Sequence, residues 1–213
     1  MEKKQIVIEG NIGCGKSTLL GTLSNDSNVE VFLEPLNAWQ DIKTKDGETL
    51  LSAFYRDPKR YGYLFQSIVF KTRLRYQDVP QEKQLRYMER SVLTDNYVFM
   101  KSMIEMEMIE DIEQECYKQW YSWLTDKVFK MPDAIIYIRS SPETCLTRIK
   151  HRNREAETNI LIDYLKTIHD KHEEWLQNWN LCPVYVVENP IDRDINSVLE
   201  EVKNIGQKII NQI

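Results

Sequence analysis

The stretch Gly10-Asn11-Ile12-Gly13-Cys14-Gly15-Lys16-Ser17 constrains this chain more than any other part of it. It follows a short apolar run, Gln5-Ile-Val-Ile-Glu9, and has the spacing G-x-x-x-x-G-K-S of a phosphate-binding loop. Glycines at those places let the backbone wrap closely around an anion, with successive N–H groups pointing inward. Lys16 adds a mobile positive charge, and the Ser17 hydroxyl suits a Mg²⁺ ion. Thr18-Leu-Leu-Gly-Thr-Leu23 reads as a helix whose N-terminal end favours negative charge. Strand, loop and helix in that order predict a nucleoside triphosphate site over residues 10–18.

The remainder must supply a scaffold and an acceptor. A length of 213 residues fits one domain, 1–213, with a sizeable core. The net charge of −5 argues against a broad nucleic-acid surface, so an anionic ligand must meet a local basic cluster. No apolar run approaches the ~18 residues of a membrane span, and the start shows no signal or transit pattern. Cys14, Cys116, Cys145 and Cys182 form no C-x-x-C pair, which leads us to expect reduced thiols and a cytoplasmic setting.

Short apolar runs alternate with longer helical patterns. Residues 6–8, 29–33, 85–88, 134–138 and 184–187 read as strands. Helices are expected near 16–24, 48–56, 59–78, 95–108, 111–129, 142–153, 160–179 and 194–211. Strands separated by helices imply an α/β fold, a five-stranded parallel sheet flanked by helices on both faces. Ligands should gather beyond the carboxyl ends of the strands, where Glu9, Glu34, Glu89-Arg90-Ser91, Arg139 and Glu188 fall. Met100, Met103, Met106, Met108, Trp120 and Trp123 read as core or a subunit interface.

Three constellations carry chemistry. In Phe32-Leu-Glu-Pro-Leu-Asn-Ala-Trp39, Pro35 ends the strand and projects Glu34 into the crevice, where a carboxylate can act as general base. In Met88-Glu-Arg-Ser-Val-Leu-Thr-Asp95, Glu89 suits Mg²⁺ held through water, and Arg90 a phosphate or sugar hydroxyl. Arg148 and Arg152 lie at i,i+4 on one helix face with Arg154 just beyond, the basic cluster that the net charge demands. Guanidinium groups suit a transferring phosphoryl group, whose oxygens carry spread charge.

These segments together resemble the deoxynucleoside kinase family: the deoxycytidine, deoxyguanosine and mitochondrial thymidine kinases and their insect relative. The resemblance rests on the loop, on Glu-Pro-x-x-x-Trp at 34–39 and on Glu-Arg-Ser at 89–91. It extends through Tyr55-Arg-Asp-Pro-Lys-Arg-Tyr-Gly-Tyr-Leu-Phe-Gln66, Ser141-Pro-Glu-Thr-Cys-Leu-Thr-Arg-Ile149 and Lys171-His-Glu-Glu-Trp175. It implies a P-loop kinase fold with the phosphate-loop strand at the centre of the sheet, an arginine lid, ATP with Mg²⁺, and a homodimer. By resemblance, Glu34 deprotonates the sugar 5′-hydroxyl with Arg90 beside it, while Tyr55 and Glu157 bind the 3′-hydroxyl and Tyr164 packs on the sugar. Gln66 meets the base edge, Phe65 and Phe99 stack on its face, and Arg148, Arg152 and Arg154 cover the ATP phosphates.

Arg73 lies two helical turns beyond Gln66, and Asp95 opens the next helix. The pair resembles the deoxycytidine and deoxyguanosine kinases and favours deoxycytidine, deoxyadenosine or deoxyguanosine over thymidine. A thymidine or broad-specificity kinase is the alternative, and a nucleoside monophosphate kinase a more distant one, because Glu34 would repel a monophosphate. A GTPase-type switch lacks its Asn-Lys-x-Asp motif here. Cys14 departs from the small residues usual in the loop, and Glu188–Asp194 matches the adenine-side loop only loosely. His169 and His172 are read as solvated on a charged helix rather than as metal ligands.

Overall fold

The structure, a computed structural model, describes residues 2–154, 157 and 160–211. Its elements run β1 (Lys4–Glu9), α1 (Lys16–Leu23), β2 (Val29–Phe32), α2 (Leu36–Gln40), α3 (Leu50–Arg56), α4 (Pro58–Leu74), β3 (Leu85–Glu89) and α5 (Val92–Thr94). Then come α6 (Lys101–Glu105), α7 (Asp111–Lys127), β4 (Ala134–Arg139), α8 (Pro142–Arg152), α9 (Ile162–Gln177), β5 (Val184–Glu188) and α10 (Ile195–Asn211). The five strands form one sheet in the order β2-β3-β1-β4-β5. Every pairing is parallel, so the helical crossovers carry the chain back between strands. β1, the strand that feeds the phosphate loop, is central, as the resemblance implies.

Successive strand residues point to opposite faces of a sheet. Ile6, Val7 and Ile8 of β1 are all buried, as are Ala134 to Ile138 of β4, so helices cover both faces. Each isoleucine or valine among them contributes about 1.5–3 kcal/mol by leaving water. A second apolar cluster joins Trp39, Leu50, Phe54, Phe65, Met100 and Met103 beside the sheet's carboxyl edge. Trp39, Phe54 and Phe65 of that cluster form part of a cavity wall.

Local chemistry sets the helix ends. Asp57 caps α4 by accepting from Arg60 N, and Pro58 occupies the first turn, where its missing N–H is harmless. Ser141 caps α8 in the same way through Thr144 N, again with proline next in line. α8 stops at Asn153, which adopts left-handed geometry at φ 47°.

The structure departs from the expected elements in two places. α2 forms where only a loop was read, directly after Pro35. The helix expected over 95–108 is interrupted: α5 passes through a π-helical stretch, Asp95–Met100, before α6 begins. π-Helical turns are rare and concentrate at functional sites, and this one carries both Asp95 and Phe99. The Met/Trp series divides accordingly. Met100 and Met103 are core, whereas Trp120 and Trp123 stand exposed on α7.

Candidate active site

The phosphate loop leaves β1 in the middle of the sheet and leads directly into α1. Gly10 has φ 144°, and a Cβ there would lie 2.5 Å from the Ile138 carbonyl oxygen. Gly13 has φ 80°, and its Cβ would lie 2.6 Å from the Cys145 oxygen, so neither position admits a side chain. Lys16 is buried, and its Nζ donates to the carbonyls of Gly10 at 2.9 Å and Asn11 at 2.8 Å. Asn11 turns inward and ties the loop to α9 by donating to Leu165 O at 2.8 Å. Cys14 is fully buried beneath the loop, while Ile12, Gly13, Gly15, Lys16, Ser17 and Thr18 line the cavity. Ser17 Oγ donates to Glu89 Oε1 at 2.7 Å, bringing a hydroxyl and a carboxylate together at the mouth of the loop.

Across from the loop lies Glu34. Its Oε1 accepts from Arg73 at 2.6 Å and from Arg90 at 2.7 Å, and neither guanidinium uses Oε2. Burial alone would raise the Glu34 carboxyl. The charges of Arg90, Arg73 and Lys16 outweigh it and hold the group well below the usual carboxylate range. Arg90 reaches this position from an unusual backbone, φ 60°, between β3 and α5. Its guanidinium lies 4.9 Å from the ring centre of Phe99 and also donates to Gly10 O at 3.2 Å.

The apolar end of the cavity is built by α2, α3, α4 and the π-helical stretch. Phe65 stacks on Phe54 at 4.6 Å and meets Trp39 edge-on at 5.5 Å. Arg73 is buried at 4% exposure, and its Nε donates to Asp95 Oδ1 at 2.9 Å. Asp95 is fully buried; burial pushes its carboxyl up to about 6 although Arg73 pulls the other way. Its second oxygen, Oδ2, has no hydrogen-bond partner, nor has Oε1 of buried Gln66. The pairing of Arg73 with Asp95 was expected; the additional bond from Arg73 to Glu34 was not. That bond joins the apolar end of the cavity to Glu34.

Above the cavity, Glu157 is buried and accepts from Arg152 and, at 3.4 Å, from Arg154. Arg148 instead donates to neutral acceptors: Cys14 O at 3.2 Å, Asn189 O at 3.3 Å and Pro190 O at 2.9 Å. Tyr55 and Tyr164 line the same cavity, their hydroxyl pKa values raised by burial. Lys16, Ser17, Glu34, Gln66, Arg73, Glu89, Arg90, Arg148, Arg152 and Arg154 face one cavity of about 420 Å³, a volume suited to a small-molecule substrate, while Asp95 stands behind Arg73.

Sequence reasoning missed Trp39, Phe54, Asn189 and Arg193 as cavity residues. It also placed His172 in solvent, whereas His172 is fully buried, donates Nδ1–H to Ile168 O at 2.7 Å and stacks on Tyr137. Burial holds the His172 imidazole down at about 3, so it stays neutral. Nor do all the charged strand ends face the crevice. Arg139 pairs with Glu173 and Glu188 at the sheet's edge, and Glu9 turns inward to Thr94.

A five-stranded parallel sheet, a phosphate loop at its centre and a carboxylate gripped by two arginines in the same cavity define a phosphotransferase of the P-loop kinase class. The chain belongs to the deoxynucleoside kinase family, whose profile matches residues 6–213. It is 35% identical over 214 residues to mitochondrial thymidine kinase 2 of Homo sapiens, covering 98% of this chain and 79% of that one. It is 37% identical over 242 residues to deoxycytidine kinase 2 of Gallus gallus, covering 99% and 89%. A fowlpox virus protein named as a probable deoxycytidine kinase is 41% identical over 179 residues, covering 83% and 73%. The chain is thus an enzyme that phosphorylates deoxynucleosides with ATP.

Proposed function

We propose that the acceptor is the 5′-hydroxyl of a deoxynucleoside whose base carries an exocyclic amino group: deoxycytidine, deoxyadenosine or deoxyguanosine rather than thymidine. The relatives' names include both thymidine and deoxycytidine kinases, so kinship does not choose among bases. The observation that carries the choice is the buried Arg73–Asp95 pair: Arg73 lines the cavity beside Gln66, and Asp95, held by it at 2.9 Å, keeps one buried oxygen, Oδ2, without a hydrogen-bond partner. An unpaired buried acceptor is expensive, and an amino group supplies the donor that Asp95 lacks. Thymine presents a carbonyl there, which a carboxylate oxygen cannot bond, and its methyl group needs room that Arg73 occupies.

In this reading the base lies against Phe65 and Phe99, and Tyr55 and Glu157 take the 3′-hydroxyl beside Tyr164. Glu34, ionised at any working pH, accepts the 5′-proton through the oxygen its arginines do not use, and Arg90 steadies the attacking oxygen. A carboxylate held so low is a weak base, which is adequate because phosphoryl transfer proceeds through a loose transition state with little early demand for proton removal. Lys16, Arg148, Arg152 and Arg154 meet the phosphates.

Adjacent Ser17 and Glu89 oxygens suit Mg²⁺, which takes one or two protein oxygens plus phosphates and water. When bound, that ion supplies charge neutralisation between the phosphates. Exposed Ile112, Trp120 and Trp123 on α7 fit pairing with a second copy of the chain, and four free cysteines fit a reducing, cytoplasmic compartment.

The test is product formation from ATP with each of the four deoxynucleosides and with thymidine monophosphate. The amino-bearing nucleosides should exceed thymidine by about tenfold or more in kcat/KM, since a site built to hydrogen-bond its substrate discriminates strongly. A wild-type preference for thymidine would overturn the base assignment.

A further inference from the structure

Asn189 follows the last residue of β5, is 2% exposed, and contacts three elements at once. Its backbone is anchored at both ends: its N–H donates to Arg139 O at 2.7 Å, and its carbonyl accepts from Ser140 Oγ at 2.7 Å. Its side-chain Nδ2 donates to Cys14 O at 2.8 Å, inside the phosphate loop. Its Oδ1 faces the Arg148 guanidinium at 3.4 Å. That arrangement fixes the amide's orientation, because a flipped side chain would set donor against donor and acceptor against acceptor.

The Cys14 carbonyl therefore receives two donors, Asn189 Nδ2 and Arg148 at 3.2 Å. A peptide unit is planar, and in its trans form C=O and the following N–H point to opposite sides. No cis peptide occurs among the described residues. Holding the Cys14 oxygen against Asn189 thus turns the Gly15 N–H to the other side. Gly15 itself lines the cavity, and a Cβ on it would lie 3.0 Å from Asn189 Nδ2, so glycine lets the clamp close.

We propose that Asn189 is a positioning residue for the triphosphate site: with Arg148 it locks the Cys14–Gly15 peptide so that the Gly15 amide faces the anion before ATP arrives. Preorganised amides need no reorientation on binding, and that is where the gain in affinity lies. The same clamp couples α8, and so the lid arginines, to the floor of the loop. This inference rests on the loop being the ATP site.

The experiment measures Kd for ATP and for the preferred deoxynucleoside, each alone, together with Tm, in wild type, Asn189→Ala and Asn189→Asp. Asn189→Asp keeps shape and the acceptor for Arg148 but replaces the donor facing Cys14. ATP affinity should fall about tenfold in Asn189→Ala, the loss expected for one well-placed buried hydrogen bond, and further in Asn189→Asp. Deoxynucleoside affinity should stay within about twofold, while amide exchange over residues 10–18 quickens in both variants. ATP affinity unchanged in both would overturn the proposal. So would parallel loss of ATP affinity, nucleoside affinity and Tm, which would make Asn189 a merely structural residue. A wild-type chain that binds the deoxynucleoside but no ATP would instead sink the donor-site reading beneath it.

Discussion

Removing Arg73 alone should damage the protein more than removing Arg73 and Asp95 together. Arg73 donates to Asp95 at 2.9 Å, Glu34 at 2.6 Å and Glu89 O at 3.1 Å, all from a buried position. Arg73→Met preserves much of the side-chain volume but strands Asp95, whose carboxyl burial already holds up at about 6. Breaking a buried pair on one side costs about 3–5 kcal/mol. At ~2–4 °C of Tm per kcal/mol for a chain of this size, the single variant should melt roughly 6–20 °C below wild type. In Arg73→Met/Asp95→Ala no orphaned charge remains, and Glu34 keeps Arg90 at 2.7 Å, so the double variant should recover a large part of that loss. The space gained should admit the thymine methyl group. Thymidine phosphorylation should appear, and the original substrate should lose more than thymidine gains, because its hydrogen bonds are gone. Thermal melts and kcat/KM for four deoxynucleosides, in all three variants and wild type, provide the assay. Equal melting of the single and double variants would refute the buried-pair reasoning. An unchanged order of substrates would refute its link to specificity.

Lys16→Ala should weaken ATP binding and turnover together, since Lys16 supplies the charge inside the loop; ATP titration and steady-state kinetics check this. Arg152→Ala should slow single-turnover transfer more than it weakens deoxynucleoside binding, because charge develops on the phosphoryl oxygens. Glu9, fully buried with Thr94 Oγ1 2.5 Å and 2.6 Å from its two oxygens, is pushed up by burial from 4.5 to about 7. Between those values the folded chain keeps a proton that the unfolded chain has released, so stability falls as pH rises through the window. Glu9→Gln removes that slope, and denaturant melts at about pH 5 and pH 7 should show the variant gaining on wild type at the higher value.

Much of this architecture is legible in the sequence because it depends on local rules. The phosphate loop announces itself through glycines that sterics require, and all five strands fall where apolar runs were read, within two residues at each end. Elements set by tertiary context were harder to see. The π-helical stretch at Asp95–Met100 has no periodic signature, and α2 is too short to show one. His172 was misread because its neighbours Lys171, Glu173 and Glu174 are charged. Yet it lies four residues after Ile168 and seven after Leu165, on the buried stripe of α9, and that spacing was the available signal. The bonds from Arg73 to Glu34 and from Asn189 to Cys14 span 39 and 175 residues, and no pattern along the chain encodes them.

The central claim, that Glu34 takes the acceptor's proton, is tested most directly by single-turnover phosphoryl transfer in Glu34→Gln. Glutamine keeps an oxygen for Arg73 and Arg90 but cannot accept the proton. The account predicts a transfer rate lower by about 10²–10⁴ with deoxynucleoside Kd changed no more than a few-fold. Transfer at close to the wild-type rate would contradict it and leave Glu34 as an anchor for two arginines.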